Sequence, residues 1–232
     1  MRQFPVMIFA AGFGSRMGLL AADKPKPLIT VAGKALLDHA LDLVKAVPMA
    51  PVVVNTHYHA AQIVAHLACE NVALSHETQT ILETGGGLRA ALPLLGRSPV
   101  MTLNSDAVWT GQNPLAELAA GWDAAQMDAL LLLAPLSATQ GYIGKGDFLL
   151  DESGHLSRAG GLQGLVYLGA QIIRTEFLSN IPQKVFSLNL LWDQMIASGR
   201  AFGLVHRGGW CDVGRPEGIR QAEALLGWIP SG

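Results

Sequence analysis

Short apolar runs alternate with stretches of three- and four-residue apolar spacing along the first two-thirds of the chain. Residues 4–10 (FPVMIFA) form an apolar run that ends in Gly-rich sequence, which predicts a buried strand. Residues 35–47 place apolar side chains three and four apart and predict a helix, stopped by Pro48. The alternation continues with a strand at 52–55, a helix at 60–68, a strand at 72–76 and a helix at 88–95. It ends with a strand at 99–103, a helix at 115–125 and a strand at 128–134. Strands apolar on both faces and separated by helices predict an α/β fold. Its sheet is mixed but mostly parallel, Rossmann-like, and flanked by helices on both sides.

The pattern changes after about residue 136, where glycines become frequent (Gly141, Gly144, Gly146, Gly154, Gly160, Gly161, Gly164). Short runs at 148–150 and 165–168, around a turn at 151–154, predict antiparallel strands added to the sheet. A helix at 188–198, a strand at 201–206 and a terminal helix at 217–226, led by Pro216, complete the pattern. No repeat or linker divides the chain, so residues 1–232 are expected to form one domain.

Composition narrows the function classes. Half of the 232 residues are hydrophobic and 15% are charged, which gives a core and argues against disorder. A net charge of −2 leaves no broad basic surface for nucleic acid. No apolar run approaches the roughly 18 residues of a membrane span. The start of the chain, with Pro5 running into a Gly-rich loop, lacks a signal-peptide layout, so a cytoplasmic protein is expected. The two cysteines, Cys69 and Cys211, are too few for a disulfide scaffold or a Cys-based zinc site.

The chemistry concentrates at predicted strand ends. Ala10-Ala11-Gly12-Phe13-Gly14-Ser15-Arg16-Met17 follows the first strand, where open α/β sheets bind ligands. A dinucleotide fingerprint fails here, because the third glycine, Gly18, is one position late and Pro25 and Pro27 interrupt the crossover helix. A Walker loop fails because Gly33-Lys34 is followed by Ala35. What remains is Arg16, Lys24 and Lys26 beside glycine amides, a setting for polyphosphate. Lys26 is expected in an extended, exposed segment held by the two prolines, contributing to turnover and not to the fold. In Leu82-Glu83-Thr84-Gly85-Gly86-Gly87, the three glycines are expected to let a base or ribose approach the backbone. Asp106 ends one apolar strand and Asp212 follows another, and together they are a candidate Mg2+ pair. His57 and His59 read as loop residues, and no G-x-S-x-G elbow is present.

These motifs together resemble the signature of sugar-1-phosphate nucleotidyltransferases. The likeness rests on Ala10-Ala11-Gly12-x-Gly14-x-Arg16-Met17, Pro25-Lys26-Pro27-Leu28, the Glu83–Gly87 string, Asn104-Ser105-Asp106 and Trp210-Cys211-Asp212-Val213-Gly214. It implies a nucleotide-diphospho-sugar transferase type of fold, with residues 1–135 as the nucleotide-binding half and 136–232 as the sugar-binding half. The implied reaction joins a nucleoside triphosphate and a sugar 1-phosphate into a nucleotide sugar, releasing pyrophosphate. The ETGGG string and Gly144-Lys145-Gly146-Asp147-Phe148 look like the branch that uses UTP and N-acetylmuramate 1-phosphate in cell-wall recycling. A mannose-1-phosphate guanylyltransferase and a catalytically inactive nucleotide-sugar-binding regulator are the alternatives.

The resemblance also implies site roles. Arg16 and Lys26 would be catalytic. Ala11, Gly12, Gly14, Ser15, Arg16, Lys26, Glu83, Thr84, Gly85 and Asn104 would bind the nucleotide. Gly146, Asp147 and Gly164 would meet the sugar, and Asp106 and Asp212 would hold Mg2+. The chain departs from the family pattern at Gly18, Ser105, Cys211 and Gln163.

Overall fold

The first strand, β1 (Val6–Phe9), lies inside the sheet, and its neighbours define the site. In the computed structural model, which describes residues 3–229, six further strands complete this sheet. They are β2 (Val52–Thr56), β3 (Ala73–His76), β4 (Val100–Asn104), β5 (Ala129–Ala134), β6 (Val166–Ile173) and β7 (Ala201–Val205). Their spatial order is β7-β5-β6-β4-β1-β2-β3. β1 pairs in parallel with both β2 and β4, β2 with β3, and β5 with β7. β6 alone runs antiparallel, inserted between β4 and β5. The strand order reverses on passing from β2–β1 to β4, which opens a crevice at the carboxyl ends of β1 and β4.

The period-two alternation of strand side chains sorts the core into two layers. Val6 and Ile8 of β1, with Leu130, Leu132 and Ala134 of β5, face one side. There they meet Leu37, Ala40 and Leu41 of α1 (Leu36–Lys45). α2 (Ala60–His66) adds Ile63 to the same layer. Met7 of β1 and Leu131 and Leu133 of β5 face the other side, against Leu88, Ala91 and Leu95 of α3 (Glu83–Leu95). Leu115 and Leu118 of α4 (Pro114–Gly121) join the first layer, and Leu191, Trp192 and Met195 of α5 (Asn189–Ala197) join the second. Asn113 caps α4 by accepting from the Leu115 and Ala116 amides, and Pro114 takes its first turn.

A smaller sheet sits beyond the end of β4. Ala107–Trp109 pairs antiparallel with Trp210–Asp212, which pairs in parallel with Thr139–Gln140. α6 (Pro216–Leu225) packs behind it through Ala222, in a third cluster with Met17, Val108, Cys211 and Val213.

Three predicted elements are redrawn. The helix expected from residue 88 begins at Glu83, so the three glycines lie inside it. The 148–150 run pairs across the 151–154 turn with Leu156–Arg158, and meets the 165–168 run only at the antiparallel Phe148–Leu165 bridge. The 165–168 run instead belongs to the eight-residue β6, broken to the eye by Gly169. There φ is +81, the pairing bulges, and a Cβ would lie 2.7 Å from the Asn104 side chain.

Candidate active site

A buried hydrogen-bond relay fixes the floor of the crevice. The Ala10 amide, just past β1, donates to Asn55 Oδ1 at 2.7 Å. Asn55 Nδ2 donates to Glu77 Oε1 at 2.7 Å, and Glu77 Oε2 accepts the Leu82 amide at 2.6 Å. The ends of β1, β2 and β3 are thus tied to the start of α3. Asn55 and Glu77 are both buried, and neither was singled out in the sequence. Their only signal is a polar residue at the end of each apolar run, which gains meaning once β1, β2 and β3 are known to be neighbours.

The loop after β1 stands open. Gly12, Ser15 and Arg16 are exposed, and a Cβ on Gly12 would have nothing within 4 Å. Gly14 is different: its φ is +64, and a Cβ there would meet Lys26 Cβ at 2.8 Å. A 3-10 segment, Ser15–Ala21, follows.

Lys26 departs from the expected exposed, extended strap. Pro25 is extended, but Lys26–Leu28 forms one 3-10 turn, and Lys26 is only 8% exposed. Its Nζ donates to Asp106 Oδ2 at 2.6 Å. The prolines set the entry and the turn, and the turn sends the lysine inward under Gly14.

Two cavities meet at this ion pair. The first, of about 220 Å3, is lined by Ala11, Gly12, Lys26, Asn104 and Asp106 from the predicted set. Glu83 and Thr84 complete its wall from the start of α3, together with Glu77 and Asn55. The second, of about 310 Å3, is lined by Arg16, Asn104, Asp106, Asp147 and Asp212, with Tyr142, Tyr167 and Trp192 as an aromatic side. Asn104 and Asp106 belong to both.

Asp106 and Asp212 are brought together by strand register. Asp212 pairs across from Ala107, and the Val213 amide donates to the Asp106 carbonyl at 2.8 Å. Burial pushes the Asp212 carboxyl up to about 6, and the Asp106 charge pushes in the same direction. The nearby cations Lys26, Arg16 and Arg215 pull it back only in part.

Other predicted residues lie elsewhere. The glycine triplet answers to packing and not to an open backbone surface. Cβ atoms on Gly85, Gly86 and Gly87 would strike the Phe186 ring at 2.4 Å, the Lys184 carbonyl at 2.5 Å and Glu77 Oε1 at 2.8 Å. The Gly85 and Gly86 amides both donate to the Phe186 carbonyl, and Gly85 lines neither cavity. Thr84 Oγ1 accepts the Leu188 amide at 2.9 Å, at the start of α5. Gly146 and Gly164 lie against each other, where a Cβ on Gly146 would come within 2.4 Å of the Gly164 carbonyl, and neither lines either of these two cavities. Between them they place Asp147, which accepts the Tyr142 hydroxyl at 3.1 Å and the Tyr167 amide at 2.8 Å. His57 and His59 bond the Glu77 and Ala22 carbonyls as loop residues.

Residues 6–145 match the model of the MobA-like NTP transferase domain. The chain is 40% identical to N-acetylmuramate alpha-1-phosphate uridylyltransferase of Caulobacter vibrioides, over 95% of this chain and 96% of that one. The chain belongs to the sugar-1-phosphate nucleotidyltransferases of the MobA-like family. It is also 33% identical to the enzyme of the same name from Neisseria meningitidis serogroup B, covering 95% of this chain and 97% of that one. The fold matches a putative glucose-1-phosphate thymidylyltransferase from Bacillus anthracis with a TM-score of 0.79 at 16% identity, over 99% and 97% of the two chains.

Within this nucleotidyltransferase the departures from the family pattern have local causes. The Ser105 hydroxyl donates to the Phe9 carbonyl at 2.6 Å, tying β4 to β1. Cys211 is buried against α6, 3.7 Å from the Gly218 carbonyl, and burial pushes its thiol up to about 12. Gly18 sits at φ 57, ψ −132, a kink that a longer side chain resists. Gln163 lies exposed on the loop before Gly164.

Proposed function

We propose that this enzyme transfers the uridylyl group of UTP to N-acetylmuramate 1-phosphate, giving the UDP-sugar and pyrophosphate. One observation carries the reading: a cavity between the loop after β1 and the start of α3, and a second, aromatic-sided cavity, share Asn104 and Asp106, with Lys26 paired to Asp106 at the junction. The near-full-length likeness to two uridylyltransferases of that name supports the choice of base and sugar. In this reading residues 1–135 form the nucleotide half and 136–232 the sugar half.

The chemistry is a displacement at phosphorus. An oxygen of the sugar phosphate forms a bond to the α-phosphorus as the bond to the bridging oxygen breaks, and pyrophosphate leaves with the electron pair. Two anions must come together, so preorganised positive charge and fixed N–H groups lower the barrier most. Gly12, Ser15 and Arg16 stand exposed along the open loop, with Ala11 in the cavity wall beside them, to receive the triphosphate. Lys26, held inward, neutralises the α-phosphate and the incoming phosphate. Glu83 and Thr84 face the nucleoside at the start of α3, and Asn104 stands between the two substrates. Asp147 receives a hydroxyl or amide hydrogen of the sugar.

Asp106 and Asp212 suit Mg2+. Two adjacent carboxylates, one strained upward by burial and by its neighbour, gain from a divalent charge. Among the described residues no group of three or more His, Cys, Asp or Glu closes a cage, which leaves positions for phosphate oxygens. When bound, the ion would supply Lewis-acid charge to the phosphates. Among the described residues no helix is long and apolar enough to cross a membrane. We place the enzyme in the cytoplasm, where UTP is made, and its product among those of cell-wall recycling.

The test is pyrophosphate release with Mg2+, N-acetylmuramate 1-phosphate and equimolar UTP, GTP, CTP or dTTP. UTP should lead, and chelation should stop turnover. A GTP preference, or no turnover of this sugar with any nucleotide, refutes the proposal.

A further inference from the structure

The second cavity is lined by two cations, Arg16 and Arg158. Arg16 belongs to its phosphate end. A Cβ on Gly214 would touch both Asp212 Oδ2, at 2.7 Å, and Arg16 Nη2, at 3.2 Å. Arg158 stands among the aromatic residues, with no part in the phosphate chemistry described above.

Its guanidinium is unusually well fixed. Nε donates to Asp193 Oδ1 at 2.8 Å, and Nη2 contacts the same oxygen at 2.8 Å. Nη2 also donates to the Asn189 carbonyl at 3.2 Å. The carbon of the fork lies 4.9 Å above the Phe148 ring and 5.6 Å from that of Trp192. Trp192 is itself anchored, donating to Gln171 Oε1 at 2.8 Å, and Gln171 donates to Thr102 at 3.1 Å. Only Nη1 has no partner among the described residues, and it is the end left for a ligand. A guanidinium held over aromatic rings, with one N–H2 group spare, is preorganised to bind an anion.

The sugar phosphate is needed at the Asp106 end, next to Lys26. An anion at Arg158 must therefore be carried on the sugar ring itself. We propose that Arg158 is a specificity-determining residue that binds a carboxylate attached to the sugar, so that the site prefers carboxylate-bearing sugar 1-phosphates over the same sugars without one. The inference rests on the functional reading above, since N-acetylmuramate is N-acetylglucosamine with a lactic-acid ether. Asp147, with its acceptor oxygens, serves the hydroxyl and amide hydrogens, and Arg158 serves the acid.

The experiment compares the KM of N-acetylmuramate 1-phosphate with the Ki of N-acetylglucosamine 1-phosphate as its competitor, at saturating UTP and Mg2+. In Arg158→Gln the KM should rise roughly 10- to 100-fold, the loss expected for a charge-assisted hydrogen bond. The Ki should move by less than about twofold, and kcat should change far less than KM. Arg158→Lys should recover part of the preference. Asp193→Asn removes the charge from the same bridge to α5 but keeps the guanidinium, so it should retain the preference. If Arg158→Gln raises both constants in step, or if Asp193→Asn erases the preference as fully, Arg158 is only a brace and the inference falls. Wild-type enzyme that does not turn over N-acetylmuramate 1-phosphate at all refutes the functional reading first, and this inference with it.

Discussion

Asp212→Asn should make the protein more stable while disabling it. The folded carboxyl sits near 6 against 3.8 for an ordinary aspartate, chiefly through burial and then through the Asp106 charge. A carboxyl raised on folding binds its proton more tightly in the native state. The stability linked to that proton is fully present below 3.8 and is lost as the pH rises through about 6. Above that range the ionised group penalises the fold by up to about 3 kcal/mol, at about 1.4 kcal/mol for each tenfold change in proton affinity. Cations around Asp212 are already included in that net shift, so an uncharged isostere should recover roughly 1–3 kcal/mol at pH 8. For a chain of this length that is a gain of roughly 2–10 °C in thermal midpoint.

The assay is thermal or urea unfolding of both proteins in EDTA, from pH 4 to pH 8. The advantage of Asp212→Asn should be largest at pH 7–8 and shrink to well under 1 kcal/mol near pH 4, where Asp212 is protonated in the folded protein and increasingly in the unfolded chain. Turnover with Mg2+ should fall by several hundred-fold or more, because the variant lacks a carboxylate proposed to hold the ion. A variant no more stable than wild type at pH 8, or an advantage that does not fade with acid, would refute the charge-strain account of this site.

Lys26→Ala should lower turnover by roughly 100- to 1000-fold. Because Lys26 is buried and paired, its thermal midpoint in EDTA should also fall by a few degrees, about 1 kcal/mol. Gly12→Ala and Gly85→Ala should separate two uses of glycine. The first fills open space, so melting should stay within about 1 °C while the KM for UTP rises; the second drives a methyl into the Phe186 ring and should cost about 1–3 kcal/mol in urea unfolding. Asn55→Ala should cost about 1–3 kcal/mol, because the Ala10 amide and Glu77 both lose a buried partner. Asn55→Asp, which also loses the donor to Glu77, should not rescue it.

The apolar runs announced six of the seven central strands at nearly their observed places, because a strand buried on both faces leaves an unbroken mark. β6 was half legible, since Gly169 and the loop glycines before it hide an eight-residue strand. Lys26, Asp106, Asp212 and Asp147 all line the site, yet the ion pair that buries Lys26 depends on a partner eighty positions away. The glycine triplet misled because a glycine needed for packing looks the same in sequence as one needed for a ligand. Only the positions of Phe186, Lys184 and Glu77 tell the two apart. Arg158 reads as an ordinary hairpin charge until α5 is folded against it.

The ladder between Ala107–Trp109 and Trp210–Asp212 insulates the Asp106–Asp212 pair from the chain between its strands. Residues 110–209 can lengthen or shorten without moving Asp106 relative to Asp212, as long as Trp109 still faces Trp210. A slip of one position has the opposite effect. It would turn Asp212 to the far face of the strand and bring Cys211 toward Asp106. The part of the second cavity wall that those intervening residues supply, from Tyr142 to Trp192, is therefore free to change by insertion and deletion in its loops. The phosphoryl chemistry is held to a tolerance of one hydrogen-bond step.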